Sequence, residues 1–514
     1  MSDQPRALPG QPSLRYLKVE AKRRLSAGEF ATLHEAQLAI AREHGLPSWT
    51  ALKEHISAGP GQASPALSQA RWVISRFGEA GTPGWTAPGD GELGEHFDAQ
   101  FLRLVPPETL VSTLAGTAPG LRAELVTTLE TPLRLRGQIG GLQLEAVVAA
   151  DPPHRLTGLR LFPLGERVTD PRVAAPSTRT SGAVPAAAAA VAEESFAGLG
   201  LPGLVLAGAP ARARAGDGSG WVAARGWASL DGASLDRASH DGCVPLTPDH
   251  RFPAYSVTKL ITATVVLRLA ADGQIGLDDP AAAHLRTVRP ADETVTVRDL
   301  LTHTAGVQNP AEMFADHVPD LVTLVGPVVA SAGPRGTFSY SNGGYGLLGQ
   351  LIADVTGGTY PEAATQMVLG PLGMSCSWFP ASWPAMGAVT GYHLAGDGSF
   401  ETAPARICTV PAAGGLWTTG ADLVRFGLSW ASLLPPGLAR EALRPQADRD
   451  STGAQMGLGW LLNEPKDVGG HAGGGPGAAS SLIVRLSTGQ PGVALANRLV
   501  PIEPVNARLV RAFA

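Results

Sequence analysis

Cysteine is scarce in this chain, and its scarcity excludes two common kinds of stabilisation. Three residues of 514 are cysteine, Cys243, Cys376 and Cys408, and they are widely scattered. An odd, scattered set does not form a disulfide framework, and none of the spacings is that of a zinc site. The sequence therefore predicts reduced thiols and no cysteine-based metal site.

Long apolar runs and an excess of positive charge are also missing. No segment reaches the roughly 18 consecutive apolar residues of a transmembrane helix, and the segment up to Arg24 has no apolar stretch before its basic residues, as a secretory signal would. The formal net charge is −5, which gives no general attraction for nucleic acid or anionic membrane. The sequence predicts a cytoplasmic protein without nucleic-acid or membrane partners.

Several catalytic signatures are incomplete. His34-Glu35 does not extend to H-E-x-x-H, so no zinc protease is indicated. The stretch 427–431, GLSWA, approaches the nucleophile elbow of α/β-hydrolases but lies inside a helical pattern. The glycines of 473–477 follow no strand–helix unit that would make a dinucleotide or phosphate loop. We therefore expect neither a metal nor a cofactor.

Length and composition predict a globular protein of more than one domain. The 514 residues exceed what one hydrophobic core usually serves, and 44% of them are hydrophobic. The pattern predicts a short helical N-terminal segment over 1–60, a small α+β domain over 61–170, a linker over 171–192 and a larger domain over 193–514.

The first two segments carry no chemical motif. Residues 13–58 have the pattern of short helices with a basic face, which is either a partner-binding or an ordinary solvated surface. From 64 to 170 a helical stretch precedes strand-like runs with turns between them, and this order resembles cystatin-like or NTF2-like modules. A partner or self-association through residues 1–170 stays open.

Proline, alanine, serine and threonine dominate residues 171–192, which predicts a linker that leads into the first helix of the last domain. All the motifs that indicate chemistry follow it.

Ser256-Val257-Thr258-Lys259 is the most informative of these motifs. It opens an apolar helical run that ends at Gly273, so the serine and the lysine share one helical face, about 5–6 Å apart at Cβ. Burial disfavours the ammonium form, which lowers the pKa of a lysine and lets it act as a base toward a hydroxyl. The alternative is a serine N-cap followed by an ordinary lysine whose stem is buried.

Six further sequence segments follow this motif along the chain. The phrases are VTVRDLLTHTAGV (295–307), GTFSYSNGGYGLLGQLIADVTG (336–357), LGPLGMSCSWF (369–379), GGLWTTGADLVRF (414–426), GLGW (457–460) and GGHAGGGPGAASSLIV (469–484). In this order they resemble the serine β-lactamase and penicillin-binding-protein superfamily, in the branch of class C β-lactamases, D-alanyl-D-alanine carboxypeptidases and β-lactamase-like esterases. The resemblance covers roughly 195–514.

The resemblance implies a helical lobe and an α/β lobe with an antiparallel sheet, and a cleft between them. It implies Ser256 as nucleophile and Lys259 as its base. Tyr340-Ser341-Asn342 matches the Y-x-N loop, whose tyrosine shares protons with the lysine and whose amide binds substrate. A phenol beside an ammonium can act as a base in acylation and then as an acid toward the leaving group. Without the other motifs, Tyr340 would be an ordinary turn residue.

His471-Ala472-Gly473 matches the strand that carries K-T-G in many relatives and H-x-G in carboxypeptidase or esterase relatives. The resemblance implies that His471 and Gly473 line the substrate and that the amides of Ser256 and Gly474 form the oxyanion hole. A largely neutral imidazole holds a carboxylate less firmly than an ammonium does, which weakens the antibiotic-hydrolysis interpretation. A strand-edge histidine bonded to backbone is the alternative for His471.

Together these residues predict a metal-free serine hydrolase that acts on a small-molecule ester, amide or β-lactam. Carboxylesterase activity is the first expectation, and β-lactamase, D-alanyl-D-alanine carboxypeptidase or D-amino peptidase activity is the alternative. An inactive binding or scaffold protein is the rival of another class. We interpret His303 as structural, whereas Trp417 could line the cleft or belong to the core, and Tyr255 could narrow the cleft because relatives often carry a smaller residue there.

Overall fold

A computed structural model gives the architecture of the chain as two compact units, Met1–Leu164 and Gly165–Ala514. Each unit is described by itself. The residues described are 14–27, 29–30, 32–43, 49, 64–82, 84–105, 107–140, 142–163, 168–173, 178–211, 213–214, 216–230, 242–384, 387–395, 397–449, 454–463 and 466–512.

The first unit begins with two helices, α1 (Leu14–Ser26) and α2 (Leu33–Glu43). Their apolar faces share a small core that includes Leu17, Ala21 and Ile40. Lys18, Lys22 and Arg23 of α1 are exposed, and Arg23 and Arg24 pair with Glu20. The predicted helix near 48–56 lies outside the described residues apart from Trp49.

The rest of the first unit places helices before a sheet. The helices are α3 (Pro65–Gly78), α4 (Asp90–His96), α5 (Ala99–Leu104), α6 (Pro107–Gly116) and α7 (Ala118–Leu121); the strands are β1 (Val126–Glu130), β2 (Arg134–Ile139), β3 (Leu142–Val148) and β4 (Leu156–Pro163). The strands pair in chain order as an antiparallel meander. Alternate residues of β2 are buried, the period expected when one face of a sheet covers a core.

A large antiparallel sheet organises the second unit. Its strands are β5 (Thr178–Ser181), β6 (Gly203–Gly208), β7 (Trp221–Ser229), β8 (Val244–Pro245), β9 (Ala447–Asp448), β10 (Gln455–Met456), β11 (Leu461–Asn463), β12 (Val468–Gly475), β13 (Ala478–Arg485) and β14 (Pro491–Ala496). Their order across the sheet is β9-β10-β11-β12-β13-β14-β6-β7-β5, with β8 on β7. The N-terminal strands therefore lie beside the C-terminal ones, so both ends of the unit's sequence build one sheet.

The helices of this unit are α8 (Ala186–Leu199), α9 (Thr258–Ala271), α10 (Val297–Leu301), α11 (Leu321–Val325), α12 (Asn342–Thr356), α13 (Tyr360–Ala364), α14 (Pro411–Gly414), α15 (Gly420–Ser429), α16 (Pro436–Ala442) and α17 (Glu503–Ala512). Helices α8 and α17 pack on one face of the sheet and α15 packs on the other. Short 3-10 helices span Pro171–Val173, Tyr255–Val257, Ala281–Ala283 and Trp430–Leu433, and a π-helical turn spans Thr365–Leu369. Helix α9 is buried almost all round, as its apolar sequence predicts. In the part of the chain that is described, no helix is both long and apolar enough to cross a bilayer.

Short two-stranded pairs complete the unit. They are Phe252–Pro253 with Trp417–Thr418, Arg289–Pro290 with Val328–Val329, Phe314–Ala315 with Ile407–Cys408, and Tyr392–Leu394 with Phe400–Thr402.

Within the described residues 171–173 and 178–192, the structure contradicts the predicted linker over 171–192. Strand β5 pairs with β7 at the edge of the large sheet, and α8 packs on the sheet through Ala188 and Val191. Asp170 accepts from the amide of Phe400 at 3.0 Å, which ties the segment to the same unit. The alanine-rich composition that suggested a linker also makes a good helix, because alanine has the highest helix propensity.

Candidate active site

Ser256 lies in the 3-10 turn Tyr255–Val257, which leads directly into α9. Lys259 follows in the first turn of the helix, and its Nζ lies 3.1 Å from Ser256 Oγ. The serine is partly exposed, whereas the lysine has no exposed surface. The spacing in the sequence thus places an accessible hydroxyl above a buried amine.

Three oxygen atoms surround the Lys259 amine. Besides Ser256 Oγ, they are Asn342 Oδ1 and the carbonyl oxygen of Ala413, each at 2.8 Å. The rings of Tyr340 and Tyr345 lie 4.9 and 5.3 Å from Nζ. Burial lowers the pKa of Lys259 to about 7, so at neutral pH the amine has both protonated and neutral forms available.

Tyr340 completes the contacts of the nucleophile. Its hydroxyl donates to Ser256 Oγ at 2.9 Å, from the turn that precedes α12. Burial raises the pKa of the phenol above its ordinary value, so Tyr340 carries its proton at neutral pH. Ser256 Oγ therefore contacts two groups able to exchange protons with it.

His303 positions the loop that carries Tyr340 and Asn342. It is buried, its Nδ1 accepts from the amide of Ser341 at 3.1 Å, and its carbonyl accepts from the amide of Ser339 at 2.7 Å. Its ring lies 4.5 Å from the ring of Tyr340, and burial holds the pKa of the imidazole well below its usual range. These contacts fit the structural interpretation of His303.

The free edge of β12 passes beside the nucleophile. In the described chain β11 pairs with β12 over Val468–Gly470, while β13 pairs with its full length. Pro476–Gly477 is a two-residue hairpin loop with Gly477 at φ +66°, so the flanking pair Gly475 and Ala478 is hydrogen-bonded. By alternation, Gly474 directs its N–H away from β13 toward the free edge. The backbone thus offers a donor where the oxyanion hole was expected.

Gly473 lies where β12 comes closest to the nucleophile. A Cβ built there would be 2.4 Å from Ala254 O and 2.6 Å from Ser256 N, closer than atoms of a side chain and a backbone can lie. A third atom, Ser480 Oγ at 2.7 Å, belongs to a side chain and can rotate aside, but the two backbone atoms cannot. Only glycine permits this approach.

We expect Gly473→Ala to lower kcat about 10²–10³-fold, because the strand must move away from Ser256 and loss of one oxyanion donor has an effect of that size. Steady-state kinetics on an activated ester measures it. Gly437→Ala is the matched control, since a Cβ at Gly437 meets nothing within 4 Å. A Gly473→Ala variant with unchanged kcat would show that the close approach does not matter to catalysis.

His471 is brought to the site but does not act as a cation there. It is 5% exposed, and its Nδ1 lies 2.7 Å from the carbonyl oxygen of Ala472, so Nδ1 carries the ring proton. Burial, aided by the charge of Lys259, lowers the pKa of His471 to about 3. The imidazole is therefore neutral across the physiological range.

A cavity of about 400 Å³ opens beside these groups, and Tyr340, His471 and Arg449 are among the residues that line it. The charge of Arg449 also acts on both Tyr340 and His471. Sequence reasoning missed Arg449, which stands in no recognisable motif. It also missed Ala413, although that residue directly precedes the Gly414-Gly415 phrase.

The sequence left the roles of Trp417 and Tyr255 open, and the structure gives each residue a different position. Trp417 is 2% exposed and packs against Trp378 and Trp383, so it belongs to the core. Tyr255 has φ +44°, an uncommon conformation for a bulky residue, and its hydroxyl donates to Pro476 O at 2.9 Å. Tyr255 therefore links the nucleophile turn to the β12–β13 hairpin.

A sheet flanked by helices, with a serine, a lysine and a tyrosine meeting beside one strand, is the arrangement of the serine β-lactamase and penicillin-binding-protein superfamily. A family model described as Beta-lactamase matches residues 166–514. The chain therefore belongs to this family, whose members are serine hydrolases.

Individual relatives are distant. Penicillin-binding protein 4 of Amycolatopsis lactamdurans is 28% identical over 277 residues, which is 49% of this chain and 72% of that protein. An uncharacterized protein of Mycobacterium tuberculosis is 29% identical over 227 residues, 36% of this chain, and the chain spans 55% of its length. D-amino acid amidase from Ochrobactrum anthropi, 24% identical, has the same fold with a TM-score of 0.53 over 63% of this chain and 97% of that structure.

Proposed function

We propose that the protein is a serine hydrolase that works through an acyl-enzyme on Ser256. The observation that carries the proposal is the pair of contacts to Ser256 Oγ, from Lys259 Nζ at 3.1 Å and from Tyr340 at 2.9 Å. A weak nucleophile needs an adjacent base, and a base is most effective when its pKa lies near the working pH. The lowered pKa of Lys259, about 7, meets that requirement.

In the proposed reaction, Ser256 Oγ attacks the carbonyl carbon of the substrate and passes its proton to neutral Lys259. The amide groups of Ser256 and Gly474 donate to the oxyanion. Tyr340 then gives its proton to the leaving group and regains one from Lys259, so the carbonyl–leaving-group bond breaks without releasing an unprotonated anion. Water attacks the resulting ester of Ser256 by the same path in reverse, and the carboxylic acid is released.

We propose an ester without a free carboxylate as the preferred substrate, and hence carboxylesterase activity. Neutral His471, which replaces the lysine of K-T-G, supplies no charge to hold a carboxylate. Asn342 and Gly473 are proposed to contact the substrate beside it. The second candidate, a β-lactam or D-peptide activity, is favoured by Arg449, a cation on the wall of the same cavity, and relatives include a penicillin-binding protein and a D-amino acid amidase.

Covalent labelling tests these proposals. We expect a fluorophosphonate to form an adduct with the wild-type chain that peptide mass spectrometry locates on Ser256, and a fluorescent penicillin to label weakly or not at all. Strong penicillin labelling at Ser256 would favour the second candidate. The absence of any Ser256-dependent adduct with either probe would contradict the hydrolase and favour an inactive binding or scaffold protein. Ser256→Ala is the control for both probes.

We also propose a division of the chain. The hydrolase domain predicted for 193–514 is extended to include the former linker, because β5 pairs with β7 of its sheet and α8 packs on that sheet. The domain of 61–170 is proposed to be cystatin-like or NTF2-like on the order of its elements, helices followed by an antiparallel meander. A partner or self-association through residues 1–170 stays part of this proposal.

A further inference from the structure

The cleft beside β12 has two unlike ends. At His471 the strand meets the cavity of about 400 Å³ that Tyr340 also lines. At Gly475, four residues further along, the strand meets the aromatic rings of Phe314 and Tyr255. One end of the cleft is open and the other is obstructed.

Proton transfer decides which part of a substrate occupies each end. The leaving group must come within hydrogen-bonding reach of the Tyr340 hydroxyl, which delivers its proton in the proposed reaction. Since Tyr340 lines the cavity, the leaving group points into the cavity. The acyl group lies on the other side of the attacked carbonyl, and therefore extends toward Gly475.

At the Gly475 end, the rings of Phe314 and Tyr255 fill the space next to the strand. A Cβ built on Gly475 would lie 2.7 Å from Phe314 Cζ and 2.7 Å from both Cε1 and Cζ of Tyr255. The two rings pack edge to face with centroids 5.6 Å apart. The hydrogen bond from Tyr255 to Pro476 O, at 2.9 Å, fixes the second ring across the hairpin. No methylene group fits between the strand and this pair.

We propose that Phe314 and Tyr255 set the acyl specificity, so that the site takes esters of short, compact carboxylic acids and rejects long-chain ones. The inference rests on the proposed function, because the orientation of the substrate follows from the role of Tyr340. Within the pair, Phe314 is the residue that can be changed safely. It is partly exposed on a two-residue strand, whereas Tyr255 is 3% exposed and adjoins the nucleophile.

A chain-length series of p-nitrophenyl esters, from acetate through butyrate to octanoate, tests the proposal. For the wild-type chain we expect kcat/KM to fall steeply beyond butyrate. For Phe314→Ala the ratio of kcat/KM for the acetate to kcat/KM for the octanoate should fall at least about tenfold. The reason is that one methylene group more or less in a hydrophobic pocket changes kcat/KM about 10–200-fold. Phe314→Leu should lie between the two.

Phe379→Ala is the matched control. Phe379 is also partly buried and also packs edge to face on a tyrosine, Tyr360, with centroids 5.1 Å apart. It should leave the ratio unchanged, which separates acyl specificity from a general loss of aromatic packing. Equal ratios in the wild type and Phe314→Ala, or an equal fall in Phe379→Ala, would overturn the inference.

The same series separates this inference from the proposed function. Turnover that disappears in Ser256→Ala supports the function whatever the chain-length profile. If no ester is turned over in a Ser256-dependent way, the esterase proposal fails, and the relative rates at which short- and long-chain alkyl fluorophosphonates label Ser256 then decide the inference. Equal labelling rates, or no labelling, would overturn it.

Discussion

Ser256→Ala is expected to lower kcat on an activated ester by about 10⁶-fold, the loss seen when the nucleophile of a serine hydrolase is removed. The variant loses the oxygen atom that Lys259 and Tyr340 both contact, so neither can transfer a proton productively. Folding should be retained, because Ser256 is partly exposed and alanine fits wherever serine does. Steady-state kinetics and the midpoint of thermal unfolding measure the two expectations.

Ser432→Ala provides the matched control for this substitution. Ser432 is exposed, and its hydroxyl donates to the carbonyl oxygen of Ser429, away from the cleft. We expect it to keep wild-type kcat. If Ser256→Ala retained a rate within tenfold of the wild type, the nucleophile would have to be another residue or a water molecule.

Lys259→Met should lower kcat/KM by about 10²–10⁴-fold, the usual contribution of a positioned base. Methionine resembles the lysine stem and suits the buried position, so the loss reports the amine and not the packing. The pH dependence supplies the sharper test. Because a lysine accepts a proton only when neutral, and burial lowers the pKa of Lys259 to about 7, wild-type kcat/KM should rise with pH through about 7 and level off above it.

In Lys259→Met this rise should disappear, leaving a low rate that does not change around pH 7. Lys466→Met is the matched control, since Lys466 is exposed and the substitution is the same. It should keep both the rate and the pH profile of the wild type. A Lys259→Met variant that kept the rise through pH 7 would assign the titration to another group.

The side chains at the nucleophile could be predicted from the sequence because they belong to motifs with fixed spacing. Ser256 and Lys259 are one helical turn apart, and that geometry follows from the chain itself. Tyr340 and Asn342 are far from them in sequence, and the resemblance to a known family supplied that link. The structure brings all four together, with Lys259 within 3.1 Å of Ser256 Oγ and 2.8 Å of Asn342 Oδ1.

The contacts that the sequence missed have a common physical cause. Ala413 acts through a backbone carbonyl, which every residue has, so its identity carries no signal. The obstruction at Gly475 depends on Phe314, which is distant in sequence and reaches the hairpin through tertiary packing alone. Arg449 reaches the cavity by the same kind of long-range placement.

The wrong prediction of a linker over 171–192 has a different cause. Residues 178–181 form an edge strand that pairs with β7, and they are mostly exposed. Their sequence therefore lacks the alternation of apolar and polar residues that indicates a strand. Helix Ala186–Leu199 buries only two large apolar residues, Val191 and Phe196, among alanines, so its apolar period is weak in the sequence. Small residues that pack closely look the same in sequence as small residues that pack against nothing.

The three oxygen atoms around Lys259 also determine the direction in which a proton moves. Asn342 Oδ1 and the carbonyl of Ala413 have lone pairs and no hydrogen, so each can only accept. When the amine is neutral it retains two N–H bonds, and these satisfy the two oxygens. Its lone pair is then left facing Ser256, the one neighbour whose hydroxyl can reverse and donate. Deprotonation of Lys259 therefore turns the hydrogen bond to Ser256 around by itself, and the serine hydrogen is aligned for transfer before any substrate arrives.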